Sequence, residues 1–179
     1  MKTTMLFLAT SWLALVSGAG ALQFHTGTLT IIGGSFQANT GNDTLSHGGA
    51  VNVTGTTTFT GVDFIGNSVS GEASAGGAIF FNSGFQTFVS CRFEDNSTAN
   101  QAGAVYSYAG ETNFTDCTFE QNHAGNVAGA FRMDGGTTTL TDCTVQNNTS
   151  DGTTGGLQRF GGTLTVCGST ICDNTIPQI

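Results

Sequence analysis

The chain has 179 residues, a formal net charge of −8, 9% charged residues, 27 glycines and a single proline. Four Lys and Arg against twelve Asp and Glu exclude a nucleic-acid partner, since phosphate binding needs clustered cations to displace counterions. With so few charges, the polar surface must come from Thr, Ser, Asn and Gly, which suits strands better than helices.

In chain order, the first segment reads as a leader. Lys2 supplies the positive start, Met5 to Val16 are largely apolar, and Ala19-Gly20-Ala21 is a small-residue cleavage pattern. Residues 1–21 are assigned to a signal peptide, with cleavage after Ala19 as the near competitor, and 22–179 to one repeat domain. The expected localisation is therefore secreted or cell surface. No later run reaches the roughly 18 apolar residues of a membrane span.

From there the chain repeats itself. Asn39, Asn67, Asn96, Asn122, Asn148 and Asn174 follow one another at gaps of 28, 29, 26, 26 and 26 residues. A Gly-Ala couplet keeps the same step at Gly48-Gly49-Ala50-Val51, Gly76-Gly77-Ala78-Ile79, Ala102-Gly103-Ala104-Val105 and Ala128-Gly129-Ala130-Phe131, with Gly155-Gly156-Leu157 as a worn fifth copy. Eight residues before each asparagine stand Ile31, Phe59, Phe88, Phe114, Leu140 and Val166; three before stand Phe36, Phe64, Phe93, Phe119, Val145 and Ile171. Apolar columns at a period of 26–29 residues, with period-two alternation between them, predict a parallel β-coil in which each turn buries its apolar side on the next. Each turn should hold a strand after the Gly-Ala corner, a second through the Thr-rich segment and a short third ending at Phe-x-x-Asn. Six turns at about 4.8 Å give a rod about 29 Å long.

The asparagines are expected to form an internal amide ladder and to occupy the left-handed corner conformation themselves. Of the six Asn-x-Ser/Thr sequons, Asn96 and Asn148 fall in that ladder, which leaves Asn42, Asn52, Asn113 and Asn147 as the glycosylation candidates.

The pairing of Gly76-Gly77-Ala78-Ile79 with Phe93-Glu94-Asp95-Asn96, and of Gly49-Ala50-Val51 with Phe64-Ile65-Gly66-Asn67, resembles the repeat of the chlamydial polymorphic outer membrane proteins. The resemblance spans residues 24 to 176. It implies a right-handed parallel β-helix of the pectin-lyase-like kind, of about six coils, and an extracellular adhesive or surface role.

Cys91, Cys117 and Cys143 share one column five residues before the asparagine and read as core thiols. Cys167 and Cys172, in the last turn, are the candidates for a local disulfide. The three histidines fall in different repeat positions, and neither metal nor cofactor is indicated.

Three residues after the central corner glycine lies an outward column of Asn52, Phe80, Tyr106, Arg132 and Arg159, followed two residues on by Thr54, Asn82, Tyr108, Asp134 and Gly161. Aromatic plates with cations suit a sugar ring or an acidic polysaccharide, so Phe80, Tyr106, Tyr108, Arg132, Asp134 and Arg159 are the candidate ligand-binding residues. The alternative that they merely stack on one another stands beside it. A polysaccharide lyase or hydrolase would need a second placed carboxylate or a catalytic cation, and Asp116 and Asp142 sit elsewhere, each one residue before a column cysteine. A third alternative is ice binding, because twelve of eighteen outward positions in the second strand are Thr, broken at Phe85 and Glu111. The expected partners are thus extracellular polysaccharide or other surface proteins, with end-to-end self-association of uncapped coils as a further expectation.

Overall fold

A computed structural model describes residues 6–9, 20–42 and 46–176. Among these residues there is no helix, and the strands stack in parallel as a β-solenoid of about six turns. Three sheets run along its length. The widest, of eleven strands, carries both the strand after each corner and the Thr-rich strand; a six-stranded sheet carries the Phe-x-x-Asn strands; a five-stranded sheet carries two-residue strands such as Ser97–Thr98 and His123–Ala124. The first two expected strands therefore lie in one sheet, and in Val51–Thr60 and Ile79–Val89 they are continuous. The two-residue strands are too short for any alternating pattern to reveal.

The register follows the periodic columns. Ile31 opposes Phe59, Phe59 opposes Phe88, Phe88 opposes Phe114, and Phe114 opposes Leu140. Equivalent residues thus lie one above another, and aromatic columns become ring stacks. Phe36, Phe64, Phe93 and Phe119 stack at centroid distances of 5.2, 5.0 and 4.6 Å, and Phe59, Phe88 and Phe114 at 5.0 and 4.8 Å. The stacks meet edge-on, with Phe59–Phe64, Phe88–Phe93 and Phe114–Phe119 at 5.5, 5.6 and 5.2 Å, so offset and T-shaped contacts hold the core in both directions. In the last described turn the same columns are open: Val166 and Ile171 are 41% and 47% exposed.

The asparagine ladder runs the length of the coil. Each buried Nδ2 donates to the Oδ1 of the next asparagine and to a carbonyl of the preceding turn, as Asn96 does to Asn122 Oδ1 (2.9 Å) and Phe64 O (2.8 Å). Each Oδ1 also accepts the backbone N–H of the asparagine before it. The left-handed conformation falls one residue earlier than expected, on Ala38, Gly66, Asp95, Gln121, Asn147 and Asp173. The corner residue turns the chain with its side chain outside, and the asparagine is left free to aim its amide inward.

The corner glycines are required by closeness. A Cβ on Gly49, Gly77, Gly103 or Gly129 would lie 2.1–2.3 Å from the carbonyl oxygen of the equivalent glycine one turn on. Gly20 has the same relation to Gly49, at 2.0 Å, and Leu22 pairs with Val51. The first corner is therefore Gly20-Ala21-Leu22, two residues inside the segment assigned to the leader. The rest of that segment lies outside the described residues, apart from Leu6–Ala9, a strand that pairs antiparallel with Thr28–Ile32.

Candidate functional site: an outward aromatic column and its cleft

The outward column of the corner strand reads Asn52, Phe80, Tyr106, Arg132 and Gln158 by strand register. Arg159 does not belong to it. It opposes Met133, the buried core position, and its guanidinium donates to the Gly162 carbonyl at 2.8 Å. Likewise Phe160, whose N–H bonds to Met133 O as that of Asp134 bonds to Ser107 O, follows Asp134 in the next column in place of Gly161.

Outward does not mean exposed. The segments leading to each corner bridge in a line of their own, His47 to Ala75, Ala75 to Gln101 and Gln101 to Val127, and they flank the column. Tyr106 is only 6% exposed and packs with Ala75, Ala102 and Phe80. Phe80 is sandwiched, with the His47 ring on one side at 4.5 Å and the Tyr106 ring on the other at 5.3 Å. The Arg132 guanidinium lies 5.7 Å from the Tyr106 ring centre and 5.3 Å from that of Phe160. Phe80 and Tyr106 are thus occupied by their neighbours, and most of the expected aromatic plates are spent within the protein.

The charges are spent as well. Asp134 accepts from the Tyr106 hydroxyl at 2.5 Å and from Arg132 Nε at 2.6 Å, and the Arg132 and Asp134 side chains are 12% and 19% exposed. Burial, the hydrogen bond to Asp134 and that carboxylate's charge push the Tyr106 phenol well above its ordinary value, so it stays protonated and donating. Burial lowers the His47 pKa, which keeps the imidazole neutral at neutral pH. Among the described residues Asp134 is the one carboxylate in these two columns, and both its oxygens are engaged. Asp116 and Asp142 are left-handed corner residues at φ 53, and no pair of carboxylates is assembled here for hydrolysis.

What remains open is a cleft of about 290 Å³ beside the column. Phe80 and Tyr106 line it on one side, Tyr108 stands over it 55% exposed, and Asn82 and Gln101 supply amides. Asn82 is the extra residue of a β-bulge: Val53 opposes Phe81 but Thr54 opposes Ser83. The bulge breaks the column and turns an amide toward the cleft, as bulges beside sites do. His47 and Gln101 were not singled out from the sequence. The signal was there, since both lie on the same 26–28-residue step as Ala75 and Val127.

The other candidates fall elsewhere. Cys91, Cys117 and Cys143 are stacked, buried and free; Cys167 and Cys172 also stand as free thiols, at the ends of strands in two different sheets, without the expected bridge. Asn42 and Asn147 are exposed, and Asn52 and Asn113 are half-buried in strands of the wide sheet. The three outward columns of the Thr-rich strand are in register from Thr28–Ile32 to Thr163–Cys167. No family model, no curated protein and no solved structure matches the chain.

Proposed function

We propose that this chain is an extracellular structural or adhesive module that binds carbohydrate beside its aromatic column. The observation that carries the reading is the Tyr108 cleft, in which a free aromatic plate stands next to unpaired amides. That combination, one ring face with a few directed polar groups, is what a pyranose needs. The likeness of the repeat to those of the chlamydial polymorphic outer membrane proteins supports a surface role, and the leader-like start supports export. A glycan array probed with the refolded chain tests the proposal: binding that Tyr108→Ala weakens on the order of tenfold supports it, and silence across the array refutes it.

The register of the Thr columns favours ice binding as a second reading. Thr137, Thr139 and Thr141 repeat in line with Thr163 and Thr165 on a surface with no charge among them. Thermal hysteresis that disappears in Thr139→Lys would support it, and unmodified disc-shaped ice in concentrated protein would remove it.

A further inference from the structure

We infer that the ligand of the Tyr108 cleft is an uncharged sugar, and that the acidic polysaccharide suggested by the arginines in the sequence is excluded from it. The inference rests on the carbohydrate reading above and narrows its substrate class. A carboxylated sugar needs a cation that can turn toward it, and every arginine beyond the leader is committed elsewhere. Arg132 is held by Asp134 and lies between two rings. Pulling it away would strand a carboxylate that is 19% exposed, a cost that a ligand contact does not recover. Arg159 is bonded to Gly162 O in the last turn, and Arg92 bridges Asp63 and Glu94 on another sheet.

The groups that do face the cleft are uncharged at neutral pH, the His47 ring included, because burial lowers its pKa. Tyr108 offers its ring and hydroxyl, and Asn82 and Gln101 offer amides, with no side-chain hydrogen bonds of their own among the described residues. Amides both donate and accept, which matches sugar hydroxyls, whereas a carboxylate would leave half of that capacity facing the wrong sign. The net charge of −8 adds a field that repels acidic chains at low salt. The volume, about 290 Å³, lies at the small end of ligand sites and suits one or two rings of a longer chain. Asp134 acts here as a specificity residue: by neutralising Arg132 it removes the cation that stands in the column.

The test is calorimetric titration of the full chain with neutral β-glucan, xylan and mannan hexaoses and with oligogalacturonate and alginate hexamers, in wild type, Tyr108→Ala, Gln101→Ala and Asp134→Asn. The expected result is binding of at least one neutral hexaose, little changed between 20 mM and 500 mM salt and weakened on the order of tenfold by Tyr108→Ala. Asp134→Asn, checked by its melting curve, should acquire salt-sensitive binding to the uronates. Tighter wild-type binding to a uronate than to every neutral chain would overturn the inference and leave the carbohydrate reading standing. Neutral binding indifferent to Tyr108→Ala and Gln101→Ala would place the ligand elsewhere and also overturn it. Absence of binding to either class would sink both.

Discussion

Replacing Asn122 by alanine isolates the ladder in the middle of the coil. The side chain is fully buried and makes four hydrogen bonds: its Oδ1 accepts from Asn96 N (3.0 Å) and Nδ2 (2.9 Å), and its Nδ2 donates to Phe93 O and Asn148 Oδ1 (both 2.9 Å). Two of the four partners keep a substitute, because Asn96 Nδ2 still reaches Phe64 O and Asn148 Oδ1 still accepts from Asn122 N. The Asn96 N–H is left unpaired inside the protein, and the Phe93 carbonyl loses a donor. An orphaned buried N–H costs about 1–3 kcal/mol and a lost bond about 1, so the variant should lose roughly 2–4 kcal/mol. Asn82→Ala, at an exposed bulge, should stay within about 0.5 kcal/mol of wild type. Urea melts with matched slopes measure both. Losses equal within error would mean that the ladder does not carry buried backbone, and the account of the corner would be wrong.

Gly103→Ala forces a Cβ to 2.1 Å from Gly129 O and should prevent the turns from stacking, whereas Gly61→Ala meets no atom within 4 Å and should cost only the roughly 1 kcal/mol of a left-handed alanine; a Gly103→Ala melt near that of wild type would contradict this. In the native state a thiol-specific maleimide should modify exposed Cys167 quickly and reach Cys91, Cys117 and Cys143 only at the rate of unfolding. Simultaneous labelling of all five would show that the column is not packed. On the leader reading, expression of residues 1–179 in a secreting host should give a protein that begins at Gly20 by intact mass, because cleavage after Ala21 would remove the first corner glycine; a start at Leu22 with unchanged stability would refute that role.

The parts of the fold that could be read from the sequence are those in which one residue type recurs on the same step. Phe64, Phe93 and Phe119 announce a stack because a parallel coil sets each on its predecessor. The errors arise where the step is obscured. Gly155 and Gly156 are adjacent, and taking Gly156 as the central glycine slid Arg159 into a column that belongs to Gln158; stepping 26 residues from Gly129 selects Gly155 instead, whose carbonyl the structure places against Gly129. The first corner was hidden because Gly20-Ala21 serves equally well as a cleavage pattern. Alternation also tells which residues leave the coil but not which reach water. The lid over Tyr106 comes from the segment before each corner, which keeps the repeat step through single bridging residues but has no alternation to describe it.

The same logic says where a ligand site can exist on such a rod. When turns stack in register, a side chain finds its own column mates first, so aromatic residues pair with aromatic residues and charges with neighbouring charges. Phe80, Tyr106 and Arg132 show this saturation. Unspent valence appears only where the repeat is interrupted. Here the interruption is the extra residue Asn82, which shifts the register between Val53 and Thr54. Asn82 itself stays in register with Tyr108, since Phe81 opposes Ser107 and the Tyr108 N–H bonds to Phe81 O, so the column mate of the Tyr108 ring is an amide and not another ring. Asn82→Phe should therefore give the Tyr108 ring a stacking mate and fill the cleft while leaving the asparagine ladder intact. Sugar binding would be lost without loss of stability, a combination that no residue of the saturated column can produce.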